Sequence, residues 1–118
     1  PESMLAALNL LDELEGRKVA VLGDMLELGP YERGGHEMVG LRAGQMVDVL
    51  LTLGERARII AEAARRITGK RKIILEFGEL EPLAEWLKAN LTKNDVVLIK
   101  GSHGLRMDRI ASILEARS

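Results

Sequence analysis

Four short apolar runs recur along the chain, "KVAVLG" at 18–23, "DVLLTLG" at 48–54, "KIILEF" at 72–77 and "DVVLIKG" at 95–101. Each has the length of a strand. The first, second and fourth are apolar almost without interruption, which predicts burial on both faces, as in a parallel sheet covered by helices. Helical periodicity fills the gaps. In "ERARIIAEAARRI" the residues Ile60, Ala63, Ala64 and Ile67 share one face, with Arg58, Glu62 and Arg65 outside it. In "ELEPLAEWLKANL" the stripe is Leu80, Leu83, Ala84, Leu87 and Leu91, and Pro82 is tolerated because it falls in the first turn. Met107, Ile110, Ala111 and Leu114 mark a last helix.

The front of the chain, "SMLAALNLLDELEG", predicts a helix capped by Ser3 and closed at Gly16, with Met4, Leu5, Leu8, Leu11 and Leu14 as its apolar stripe. The stretch from His36 to Met46 is a weaker helix candidate, because Gly34, Gly35, Gly40 and Gly44 oppose it. The alternation αβαβαβαβα predicts an α/β fold: a doubly wound, mostly parallel, Rossmann-like sheet with right-handed crossovers and helices on both faces. All of residues 1–118 are read as one domain. In such a sheet ligands collect outside the carboxyl ends of the strands, where strand order reverses. With the order 3-2-1-4, the loops "GDMLELG" (23–29) and "KGSHG" (100–104) face each other there and form the candidate site.

Composition narrows the partners. Formal net charge is -1 and the cations are interspersed with acids, so the electrostatic footprint of a nucleic-acid or anionic-membrane binder is missing. Tyr31, Phe77 and Trp86 are too few and too far apart for a base-stacking platform. No run approaches the roughly 20 apolar residues of a membrane span. The absence of Cys removes disulfides, thiolate metal sites and Cys nucleophiles, in keeping with a reducing compartment. The expectation is a cytoplasmic protein with no nucleic-acid partner and no membrane insertion. Because the chain begins with Pro, it is also expected to be a piece of a longer polypeptide.

Asp24 directly follows the first strand. Its carboxylate is suited to an ammonium, a hydroxyl or a metal, and equally to an Asx-turn or a helix cap. Glu27 either shares that site or is a solvated loop acid. Two acids three apart make no metal site, and neither HxxxH nor HExxH occurs, so no metal ligand is assigned. Lys100, Gly101 and Ser102 end the fourth strand: a Gly turn before a helix offers backbone N-H groups to a carboxylate or phosphate, with Lys adding charge and Ser a hydroxyl. Alternatively Ser102 caps the last helix and Lys100 snorkels. His103 is an anion donor or an ordinary exposed loop histidine, and His36 has the bland reading of an amphipathic contact. There is no P-loop, since "TGKR" (68–71) lacks the earlier Gly and the following Ser or Thr; no G-x-G-x-x-G follows the first strand, and no G-x-S-x-G elbow exists.

"KVAVLGDMLELGPYERGGHEMVG" (18–40) and "DVVLIKGSHGLRMDRI" (95–110) resemble the C-terminal domain of the Mur ligase family, in the branch carrying the Gly-Asp-Met-x-Glu-Leu-Gly string; "PESMLAAL" looks like the end of that branch's linker and its first helix. The resemblance implies an ATP-dependent amide ligase of peptidoglycan synthesis. UDP-N-acetylmuramoyl-tripeptide is activated as an acyl phosphate and the amine of D-alanyl-D-alanine attacks it. It further implies that ATP and magnesium are bound mainly by a central domain, and the UDP-sugar by a first domain, of the same polypeptide, so that these domains are partners. This chain alone is then expected to hold no cofactor and to be inactive. On that reading Ser102 and the Gly101 turn meet the dipeptide carboxylate, Lys100 supports the charge, Asp24 orients the amine or the loop, and His36 is structural, with Glu27 and His103 as further loop support. Gly34-Gly35 departs from the more polar, helix-forming residues usual before the His, and His103 stands where relatives often carry Arg. The rival readings are a stand-alone α/β ligand-binding or regulatory module and the same domain of another ligase of this superfamily; a phosphoacceptor receiver fails for lack of a paired acid beside Asp24 and of an Asp at the end of a middle strand, where Glu76 stands.

Overall fold

A computed structural model describes residues 1–26, 28–101 and 109–110. Its strands are β1 (Arg17–Gly23), β2 (Val49–Leu53), β3 (Ile73–Phe77) and β4 (Asp95–Lys100), all parallel, in the order β3-β2-β1-β4. Between them run α1 (Glu2–Asp12), a 3-10 turn (Gly29–Tyr31), α2 (Glu32–Met46), α3 (Arg58–Arg65) and α4 (Leu80–Asn90). Side-chain alternation along the strands splits the core in two. Ala20, Leu22 and Leu50 pack with Met4, Leu8 and Leu11 of α1, Val39, Ala43 and Met46 of α2, and Ile60 and Ala64 of α3. On the opposite face Val19, Val21, Val49, Leu51 and Leu53 meet Leu80, Leu83 and Leu87 of α4, together with Ile110. Helices therefore cover both faces, as the alternation of elements requires.

Four expectations need correction. β4 is an edge strand among the described residues and is half-buried along its length rather than buried on both faces, because only β1 pairs with it. Ser3 is not a cap: α1 already includes it, the N-cap is Pro1, and the Pro1 carbonyl accepts the Leu5 N-H at 2.8 Å. The helix also stops at Asp12, short of Gly16, so Leu14 lies outside the stripe and is exposed. Gly16 instead makes the left-handed turn into β1 at φ 118°, where a Cβ would strike the Asn94 carbonyl. Of the last helix, Arg109 and Ile110 are helical; Met107, Ala111 and Leu114 lie outside the described residues.

The glycine-bearing stretch 36–46 is no weak helix. It belongs to α2, the longest helix described, which starts at Glu32. At Gly40 and Gly44 a methyl group would run into the carbonyls of Ile60 and Ala64, so these glycines let the backbones of α2 and α3 approach closely. Local propensity, which costs about 1 kcal/mol per glycine, is overridden by packing that no residue larger than glycine permits.

Candidate functional site

Because α1 runs back against β1, its first turn returns to the carboxyl edge of the sheet. There Pro1, Ser3 and Met4 join Asp24, Met25, Leu26 and Leu28 of the β1–α2 loop and Lys100 and Gly101 at the end of β4, lining one cleft of about 230 Å³. The register pairs Leu22 with Lys100, so the two loops leave the sheet side by side. The structure thus brings Asp24, Lys100 and Gly101 to one place. Glu27, Ser102 and His103 lie outside the described residues. The lining from α1, and the apolar wall of Met4, Met25, Leu26 and Leu28, were not singled out from the sequence. The first of these had a signal, since a helix that connects into a parallel strand must start at that strand's far end.

Asp24 is only 5% exposed, and its carboxylate is engaged beneath the loop. Oδ1 accepts the Ala57 N-H at 2.7 Å, one residue before α3, and Oδ2 lies 3.6 Å from Arg56 Nη1. Asp24 thus anchors the start of α3 from 33 residues away, by accepting the N-H of the residue that precedes the helix. Gly54, at φ 113°, is packed so tightly on this carboxylate that any Cβ would overlap it. Arg56 also donates from Nε to Glu32 Oε1 at 2.6 Å. The Glu32 hydrogen bond first, then the charges of Glu32 and Asp24, raise the Arg56 pKa further.

His36 is fully buried near the start of α2. Its Nε2 faces the Met25 N-H at 3.0 Å and its Nδ1 faces the Glu32 carbonyl at 2.6 Å. The Met25 N-H can only donate and the Glu32 carbonyl can only accept, so Nε2 serves as the acceptor and Nδ1 as the donor. Two buried polar side chains, Asp24 at the start of the loop and His36 within α2, therefore fix the first residues of the loop, while Leu26 remains 45% exposed at its tip.

A second cleft, at the ends of β2 and β3, is lined by Gly54, Glu55, Arg58, Glu76, Phe77 and Gly78. Its charges are already satisfied: Arg58 Nε meets Glu76 Oε1 at 3.2 Å, and Arg65 takes the other oxygen. Burial alone would raise the Glu76 pKa, but the hydrogen bonds and charges of Arg65 and Arg58 outweigh it and leave the value lowered. Among the described residues no group of three His, Cys, Asp or Glu could hold a metal ion. The Gly69-Lys70 pair precedes β3 at the opposite edge, where Lys70 Nζ meets Asp48 at 3.3 Å. Among the described residues, too, no helix is long and apolar enough to cross a membrane.

Residues 1–103 match the Mur ligase C-terminal family, described as "Mur ligase, glutamate ligase domain". The chain is 36% identical over 117 residues to the UDP-N-acetylmuramoyl-tripeptide--D-alanyl-D-alanine ligase of Bacillus subtilis, covering 97% of this chain and 25% of that protein. To the ligase of the same name from Escherichia coli it is 31% identical over 116 residues, covering 96% and 24%. The crystal structure of the MurF ligase from Thermotoga maritima in complex with ADP superposes with a TM-score of 0.81 at 30% identity, over 99% of this chain and 26% of that one. The chain spans about a quarter of the length of each of these relatives. With its parallel sheet and its family match in agreement, the chain belongs to the Mur ligase family, as its C-terminal domain.

Proposed function

We propose that this chain is the substrate-positioning C-terminal domain of a cytoplasmic, ATP-dependent ligase that joins D-alanyl-D-alanine to UDP-N-acetylmuramoyl-tripeptide. The carrying observation is the cleft where strand order reverses, which pairs a cation with an apolar wall in a chain whose relatives bear that ligase's name. A dipeptide of this kind is a carboxylate and an ammonium with two methyl groups between them. Lys100, the Gly101 turn and Ser102 are assigned to the carboxylate. Met4, Met25, Leu26 and Leu28 are assigned to the methyl groups, and Asp24 to setting the loop. Glu27 and His103 flank these positions in sequence and are assigned to loop support.

Amide formation from a carboxylate needs an activated acyl group, and an acyl phosphate is lost to water unless the amine is already in place. The amine nitrogen bonds to the acyl carbon, the bond from that carbon to the phosphate oxygen breaks, and phosphate departs with the electron pair while the nitrogen sheds a proton. ATP and magnesium are assigned to the remaining domains of the polypeptide, which also hold the UDP-sugar. This domain's part is to present the nucleophile and cover it, a task suited to a domain that closes over the others.

The test is ADP release by the full-length polypeptide, which should require both UDP-N-acetylmuramoyl-tripeptide and D-alanyl-D-alanine. Stimulation by a single amino acid in place of the dipeptide would move the chain to another ligase of the superfamily. Ser102→Ala should raise the Michaelis constant for the dipeptide, and an unchanged constant removes Ser102 from the assignment.

A further inference from the structure

The wall of the cleft is seated on two consecutive residues of α2 that do not line the cleft themselves. His36 holds the loop through the Met25 N-H. Gly35, the residue before it, is buried, and a Cβ there would stand 2.9 Å from Leu28 Cδ1 and 3.2 Å from Pro1 Cγ. Leu28, Met25 and Pro1 all line the cleft. We infer that Gly35 and His36 form a positioning element that sets the width of the cleft, and with it the fit of the dipeptide, by fixing how far Met25 and Leu28 lean away from Lys100. The inference rests on the proposed ligase reading.

The geometry separates this role from a contribution to stability. A methyl group at Gly35 meets first the end of a flexible leucine side chain, which can shift at little cost, and next the Pro1 ring, while the helix itself gains from replacing glycine. What shifts is the cleft wall. At His36 the need is for an acceptor toward Met25 and a donor toward the Glu32 carbonyl, a pair that a glutamine amide also carries and a leucine does not.

The experiment is steady-state ligation by the full-length enzyme, with ATP and UDP-N-acetylmuramoyl-tripeptide saturating and D-alanyl-D-alanine varied. Gly35→Ala is expected to raise the dipeptide KM about fivefold with kcat within a factor of two and a melting temperature unchanged or higher. His36→Leu should raise KM tenfold or more, and His36→Gln should restore most of that loss. Dipeptide constants in Gly35→Ala and His36→Gln that match wild type, together with a His36→Leu defect that tracks lost folded protein, would overturn the assignment and reduce both residues to packing. If the wild-type enzyme shows no dipeptide-dependent ligation, the functional reading fails first and this assignment with it, whereas normal wild-type ligation with an unmoved KM in every variant sinks the assignment alone.

Discussion

The two edges of the sheet are both pinned by polar side chains, yet to different ends. At the amino edge Arg17 forks onto Asp95 at 2.7 and 2.8 Å, and Asp95 also accepts the Thr92 N-H at 2.8 Å. Asp48 does likewise, taking the Lys18 N-H at 2.7 Å with Lys70 beside it. These groups close the starts of strands on themselves. At the carboxyl edge Asp24 and His36 use the same chemistry, an acceptor on a backbone N-H, to hold a loop that lines a cleft. On the proposed reading the difference sets where substitution should be felt: at one edge in stability only, at the other in stability and in binding together.

The sharpest break of that contrast is Asp24→Ala. It leaves the Ala57 N-H without its acceptor in a buried site, and a loss of about 3 kcal/mol is expected in urea denaturation of the chain. In the full enzyme the dipeptide KM should rise as well; a cost below about 1 kcal/mol would mean that Asp24 is no clamp. Asp95→Ala is expected to cost about 2 kcal/mol, held down by the partial exposure of Arg17, with the ligation constants unmoved. A changed dipeptide constant there would erase the distinction between the edges.

Acid offers a graded version of the same test. The Arg17 hydrogen bond, working against burial, holds the Asp95 carboxyl below its ordinary value, as the Thr92 N-H also does. A depressed folded-state pKa adds stability that is complete above the unfolded value, near pH 4, and is lost as pH falls through the folded one. Asp95→Asn should therefore flatten the acid limb of the stability curve below about pH 4, and a limb as steep as wild type would count against the pair. The smallest change expected is at Thr52, buried in β2 with no partner for its hydroxyl among the described residues. Thr52→Val should raise stability by up to about 1 kcal/mol and touch neither edge. A loss would reveal a bond to that hydroxyl.

Much of the frame was legible in sequence. The four apolar runs became the four strands within a residue or so, and the order 3-2-1-4 placed the loops after β1 and β4 together. What escaped was whatever depends on a distant partner. Nothing local in "GDM" names Ala57 or Arg56, because a bond across 33 residues leaves no spacing to read. Gly40 and Gly44 argued against a helix for the same reason, their justification being the backbone of α3. Ser3 carried the right chemistry for a cap but sits inside a helix that Pro1 begins. Leu14 kept the period of α1 beyond the point where the helix ends.

The contact between α2 and α3 through Gly40 and Gly44 reaches beyond packing. The loop after β1 is tied to α3 by Asp24 and to α2 by His36, and the two helices are locked backbone to backbone. The loop root thus behaves mechanically as a tooth set in a solid jaw rather than as a hinge. On the proposed reading any swing of the domain carries the root unbent, and the exposed tip side chain Leu26 is the one that can be exchanged without disturbing the jaw.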